Sequence, residues 1–184
     1  MAGEALAILH RELSPGSAVQ WDPPPPFARE ARRQLGPMWQ SRLAAGPQAA
    51  LHCDYGFGNV HLAAEAMPRI VLLDPSPNYY LTFDPLTVGS VYLDIGTLLG
   101  CLWGLVPIRS YLRLDRSRLG PLEQAFVAGY EGVAGWRLDR ALIDGVTSAV
   151  VATYLTRRLR SGWLAIAATR MIGRAARRGM RAGR

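Results

Sequence analysis

Four consecutive prolines, Pro23 to Pro26, constrain this chain more than any other feature. Proline lacks an amide proton and restricts the residue before it, so neither a helix interior nor a central strand can run through such a cluster. The stretch Ser14–Pro26 therefore predicts a loop or extended connector. It separates two helical patterns. Before it, residues 3–13 place Leu6, Leu9 and Leu13 at helical spacing. After it, a second helix is expected from near Phe27, with Leu35, Met38, Trp39 and Leu43 facing inward and Gly36-Pro37 as a break.

The pattern then changes. Ala49–Cys53 is a short apolar run ending in a polar turn. Asn59–Ala63 and Arg69–Leu73 read as two short strands joined by Ala64–Pro68. Asp74–Ser90, rich in Pro, Asn, Tyr and Thr, reads as a long loop, and loops of that length are usually functional or disordered. A buried helix is expected over Val91–Leu105, and further helices over Pro121–Gly132, Leu138–Leu159 and Gly162–Arg178. No internal repeat is visible. The expected fold class is mainly α with one small β-hairpin (α+β).

All 21 basic residues are arginine, and the net charge is +7. The absence of lysine excludes a G-x-x-x-x-G-K-[ST] phosphate loop, a lysine Schiff base and the strand lysine of protein kinases. Nine arginines fall in the last 30 residues, where no aromatic follows Trp163 to stack on bases. They read as a solvated helix face and tail, and no nucleic-acid partner is expected. Cys53 and Cys101 form no C-x-x-C pair, so neither a disulfide framework nor a structural zinc site is expected. The longest uncharged apolar stretch, Ile95–Ile108, falls short of the roughly 20 residues a spanning helix needs. With no signal-peptide pattern at the start, a cytoplasmic protein with no membrane span is expected.

The informative segment is Leu51-His52-Cys53-Asp54-Tyr55-Gly56-Phe57-Gly58-Asn59-Val60, which contains H-x-D-x-x-x-x-N. The two-strand segment follows and ends Leu72-Leu73-Asp74, twenty residues after Asp54. Phosphoryl transfer uses such a set: an aspartate aligns the acceptor hydroxyl, while an asparagine and a second aspartate hold metal on the phosphates. Hard oxygen ligands suit magnesium.

These residues resemble the aminoglycoside phosphotransferase and choline kinase superfamily, of protein-kinase-like fold, whose signature is L-x-H-G-D-x-x-x-x-N followed by an apolar strand ending I-D. Leu6–His10 resembles the family's L-A-x-L-H helix. Asp94, in Tyr92-Leu93-Asp94-Ile95, resembles the D-L/I-A position that opens its buried helix, and Phe126–Tyr130 resembles its F-x-x-G-Y helix. The resemblance spans roughly residues 3–135. It implies Asp54 as catalytic base and Asn59 and Asp74 as magnesium ligands. His52 would support the loop structurally, and Asp94 would brace its backbone. It further implies ATP and Mg2+ as cofactors and a small-molecule hydroxyl as acceptor. Asn78, Tyr79 and Tyr80 are a candidate acceptor pocket, since aromatic rings with a few polar groups are typical of such sites.

Two departures matter. Cys53 stands where the family has glycine, and a buried inert thiol is the expectation there. The family's N-terminal lobe, with its phosphate-covering loop and lysine, has no counterpart before residue 3. The expectation is therefore one kinase-like C-terminal lobe over 1–184 with the N-terminal lobe missing, or supplied by a partner chain. Within it, 1–48 holds helices and the Pro-rich connector, 49–90 the catalytic loop, hairpin and metal-binding loop, and 91–184 a helical bundle with a basic tail. A truncated, weakly active phosphotransferase is the leading expectation. The alternative is a non-catalytic kinase-like binding module, which the missing lysine would suit.

Overall fold

The computed structural model describes residues 2–12, 19–56, 58–63, 69–72, 87–104 and 119–159. Within them the chain is mainly helical, with one two-stranded and one three-stranded sheet.

The first helix, α1 (Ala2–Glu12), buries Gly3, Leu6, Ala7 and His10, a stripe of period 3.6 with one polar member. Residues 25–35 form α2 (Pro25–Leu35), two positions earlier than the sequence suggested. Pro25 and Pro26 occupy its first turn, where an amide has no helical partner to lose. Gly36, at φ +88°, ends α2, and α3 (Trp39–Ala44) follows. This break resets the helical phase. Met38 lands on the α3 N-cap and is 63% exposed instead of facing inward. Trp21, Phe27 and Trp39 pack edge to face in sequence, at centroid separations of 5.4 and 6.1 Å.

The expected hairpin is present as β3 (Val60–Ala63) and β4 (Arg69–Leu72), antiparallel, with Val60 opposite Leu72. The second sheet corrects the sequence reading. Its strands are β1 (Val19–Gln20), β2 (Gln48–Ala50) and β5 (Thr87–Ser90). Central β5 runs parallel to β1 and antiparallel to β2. The expected loop Asp74–Ser90 thus ends in a buried strand. Each strand is two to four residues long and pairs with chain at least 38 residues away, so local periodicity carries no trace of it.

From β5 the chain enters α4 (Tyr92–Gly104) after the single residue Val91, whose N–H donates to the Pro47 carbonyl at 3.1 Å. α4 packs on the final described helix, α6 (Arg140–Leu159). A Cβ on Gly96 or Gly100 would press on Val146 or Val150, so these glycines set the closeness of that crossing. Between them in sequence, α5 (Gly120–Ala134) begins with Pro121 in its first turn and ends at Gly135, whose φ of +73° is a left-handed cap. α5 packs on α1, and α2 packs on α6. Asp139 caps α6, its Oδ1 accepting from Ala141 N–H at 2.8 Å. Asp139's own N–H donates to the Tyr92 hydroxyl at 2.8 Å, tying α6 to the start of α4.

One apolar core joins the six described helices, with Leu6, Tyr55, Val91, Ile95, Tyr130 and Val146 wholly buried. Among the described residues no helix is long and apolar enough to cross a membrane. The expected helix Gly162–Arg178 and nearly all of the arginine-rich tail lie outside the described residues.

Candidate functional site

Strand β2 feeds the loop that carries Asp54. Leu51 N–H donates to the Thr87 carbonyl at 2.8 Å, which keeps the chain on the sheet until His52. Two tight turns follow. Gly56 N–H donates to the Asp54 carbonyl at 2.7 Å, and Asn59 N–H donates to the Gly56 carbonyl at 3.0 Å. Asn59 then reaches back across them. Its Nδ2 donates to both the backbone carbonyl and Oδ2 of Asp54, each at 3.0 Å. With its nitrogen turned to Asp54, the Asn59 amide leaves Oδ1 as a hard oxygen donor.

Cys53 adopts φ +64°, the left-handed region in which a residue with a Cβ is strained by about 1 kcal/mol. Asp94 holds that conformation. From the first turn of α4 its carboxylate accepts from His52 N–H at 2.6 Å through Oδ2 and from Cys53 N–H at 2.9 Å through Oδ1. Burying a carboxylate costs several kcal/mol unless donors surround it, and Asp94 is fully buried. A third donor answers this cost: His10 Nε2, from α1, lies 3.1 Å from Oδ2. On its other side His10 Nδ1 is 2.8 Å from the Tyr130 hydroxyl of α5. Three helices thus converge on the backbone of residues 52 and 53.

The electrostatics follow from burial. The Cys53 thiol is pushed up to about 12, first by burial and then by the negative charge of Asp94, with the Thr87 side chain pulling the other way. A thiol held protonated at neutral pH is a poor nucleophile. Burial, with the Asp94 charge second, also raises Tyr55 and Tyr130 well above the usual phenol range. Tyr55 anchors the loop to α1 by donating its O–H to the Ala2 carbonyl at 2.8 Å. His52 is wholly buried, packs edge-on against Tyr55 at 5.5 Å, and among the described residues has no hydrogen-bond partner for either ring nitrogen.

Of the residues expected from sequence, His52, Asp54, Asn59 and Asp94 come together in this loop and its brace. Asp74, Asn78, Tyr79 and Tyr80 lie outside the described residues. The described part of β4 ends at Leu72, opposite Val60, the residue after Asn59. Among the described residues no group of three or more His, Cys, Asp or Glu is placed to share a metal ion. A half-open cavity of about 190 Å³ lies between α3 and the three-stranded sheet, lined by Trp21, Trp39, Gln48 and Ser90 among others; His52, Asp54, Asn59 and Asp94 do not line it.

His10 and Tyr130 were absent from the expected site. The available signal was His10 itself, a polar residue four positions after Leu6 on the buried stripe of α1. No protein-family model, curated protein or solved structure matches this chain.

Proposed function

We propose that this protein is a phosphotransferase that moves the γ-phosphate of ATP to a small-molecule hydroxyl, with Asp54 as the group that aligns the acceptor and takes its proton. The observation that carries this reading is the pairing of Asp54 with Asn59. One amide nitrogen fixes the carboxylate through Oδ2, and the same amide keeps an oxygen for a cation. A turn-forming aspartate needs no such partner five residues on.

In this reading the loop does its work by position. Asp94 locks residues 52 and 53, so Asp54 starts from a fixed backbone. Asn59 then limits rotation of the Asp54 carboxylate. An acceptor hydroxyl within hydrogen-bond reach of Asp54 would lose its proton there as its oxygen attacks phosphorus. Asn59, with Asp74, would hold Mg2+, whose contribution is to neutralise charge on the phosphates. The donor chemistry of Asn59 fits that ion. Cys53, held as a thiol, takes no covalent part. The protein would work where MgATP is plentiful, in the cytoplasm.

The test is a panel of alcohols, amino alcohols and sugars incubated with protein and MgATP, with ADP release and 31P spectra as readouts. We expect acceptor-dependent ADP release that falls by about 100-fold or more in Asp54→Asn. Activity that survives that substitution overturns the assignment. MgATP binding without turnover on any acceptor would instead support a kinase-like binding module, the reading the lysine-free composition favours.

A further inference from the structure

We propose that His10 is a positioning residue of the Asp54 loop: fixed as its Nε2–H tautomer between Tyr130 and Asp94, it holds the Asp94 carboxylate in the orientation that clasps the amides of His52 and Cys53. The kinetic part of this inference rests on the phosphotransferase reading; the linkage itself does not.

The tautomer follows from the partners. Asp94 accepts an amide proton on each oxygen, so the carboxylate has only acceptor capacity to offer. His10 Nε2, 3.1 Å from Oδ2, must then carry a hydrogen. In a neutral ring Nδ1 is left with a lone pair, and the Tyr130 hydroxyl 2.8 Å away supplies the proton for it. Tyr130 suits that role, because burial and the Asp94 charge keep it a phenol. The opposite tautomer would set a lone pair against a carboxylate oxygen inside the core. The His10 and Asp94 side chains are 0% and 1% exposed, so water is not at hand to repair either mismatch.

The geometry explains why the loop needs this third donor. Both amides that Asp94 binds come from adjacent residues of one segment. A carboxylate held only by that segment can follow it as it moves. His10 belongs to a different helix, packed on α5. It therefore references Asp94 to the helical core and not to the loop. Tyr130 completes the chain from α5, its ring edge-on to His10 at 5.7 Å and leaning on Trp136 at 6.3 Å. Lengthening any contact in the series frees the loop backbone one residue before Asp54.

The experiment uses the full chain labelled with 15N. Long-range 1H–15N spectra should show His10 as the Nε2–H tautomer, and the His52 and Cys53 amides should sit downfield. In His10→Leu those two amides should move upfield and exchange with deuterium about tenfold faster or more. Urea titration of both proteins gives the change in global stability, and only exchange beyond that change counts toward the loop. His10→Gln retains a terminal donor toward Asp94 and should restore most of the protection. Tyr130→Phe should keep the Nε2–H tautomer, which Asp94 alone requires, while faster exchange at the His52 and Cys53 amides reports the lost link to α5. Should His10→Leu fail to fold, the wild-type tautomer and Tyr130→Phe decide the matter alone. An Nδ1–H tautomer in the wild type, or unchanged His52 and Cys53 amides in a folded His10→Leu, overturns the proposal. In the kinetic arm His10→Leu should lower kcat about tenfold at unchanged KM for MgATP, with recovery in His10→Gln. Absence of any phosphoryl transfer by the wild type would count against the functional reading, while the spectra still decide the role of His10.

Discussion

Asn59 grips Asp54 with a single nitrogen, which donates to the aspartate's carbonyl and to its Oδ2 at 3.0 Å each. Those two bonds close the loop over five residues. Asn59→Ala removes both and should lower the unfolding free energy by about 1–2 kcal/mol in urea titrations. Asn59→Asp should cost more, because it replaces the donor with a second negative charge beside Asp54. Equal stabilities of the two variants would show that the contact with Oδ2 carries no weight.

His52 makes the opposite prediction. It is buried with both ring nitrogens unpartnered among the described residues, so its polarity is a cost with no return. His52→Phe keeps an aromatic ring against Tyr55 and removes the unsatisfied atoms. Thermal melts should show unchanged stability or a gain of up to about 1 kcal/mol. A loss beyond about 2 kcal/mol would mean that a ring nitrogen has a partner in the folded protein.

Alkaline pH should weaken the fold. The Cys53 thiol ionises near its ordinary 9.0 when unfolded but holds its proton to about 12 when folded. Above pH 9 the folded state therefore binds the extra proton, and stability falls as pH rises toward 12. Tyr55, Tyr92 and Tyr130, each lifted by burial, add in the same direction above 10. Denaturant midpoints measured from pH 8 to 11 should be level at first and then decline. A flat profile through this window contradicts the burial of these groups.

Two glycine-to-alanine changes should part company. Ordinary helix propensity favours alanine by about 1 kcal/mol at either position. Gly132 on α5 has open space around its missing Cβ, so Gly132→Ala should stabilise by about 0.5–1 kcal/mol. Gly3 on α1 lies against the Phe126 backbone, and an added Cβ would collide with its carbonyl oxygen. Gly3→Ala should therefore destabilise by about 2 kcal/mol, since backbone cannot rotate aside as a side chain can. Differential scanning calorimetry of the pair tests whether α1 and α5 are packed at the distance described.

What could be read in the sequence was local. Leu6 and its neighbours marked α1 by period, and Pro121 marked the start of α5 by the chemistry of helix ends, while its end was placed at Gly132, two residues short of Ala134. The hairpin showed because both strands lie within fourteen residues of each other. Asp94, alone among apolar residues, announced a need for partners; the resemblance named the loop backbone as one, but no local pattern named His10. His10 lies 84 residues away; it was visible as a misfit on an apolar stripe and as the end of the L-A-x-L-H resemblance, neither of which tied it to Asp94. The three-stranded sheet escaped for the same reason. Val19–Gln20 has no strand character of its own and is extended because Thr87–Val88 runs beside it. Met38 was misjudged because the Gly36 break interrupts the phase from which its direction was reckoned.

The series Tyr130–His10–Asp94–Cys53 also sets an order of events in folding. Its links join positions 120, 84 and 41 residues apart, so each must await closure of a long stretch of chain. The helices can form early from local signals, but the loop around Asp54 takes its shape only when α1, α4 and α5 have docked. A nascent chain that has emerged as far as Asn59 already contains Asp54, yet it lacks the two helices whose side chains give that residue its setting. The residues proposed for chemistry are made early in synthesis and are arranged last.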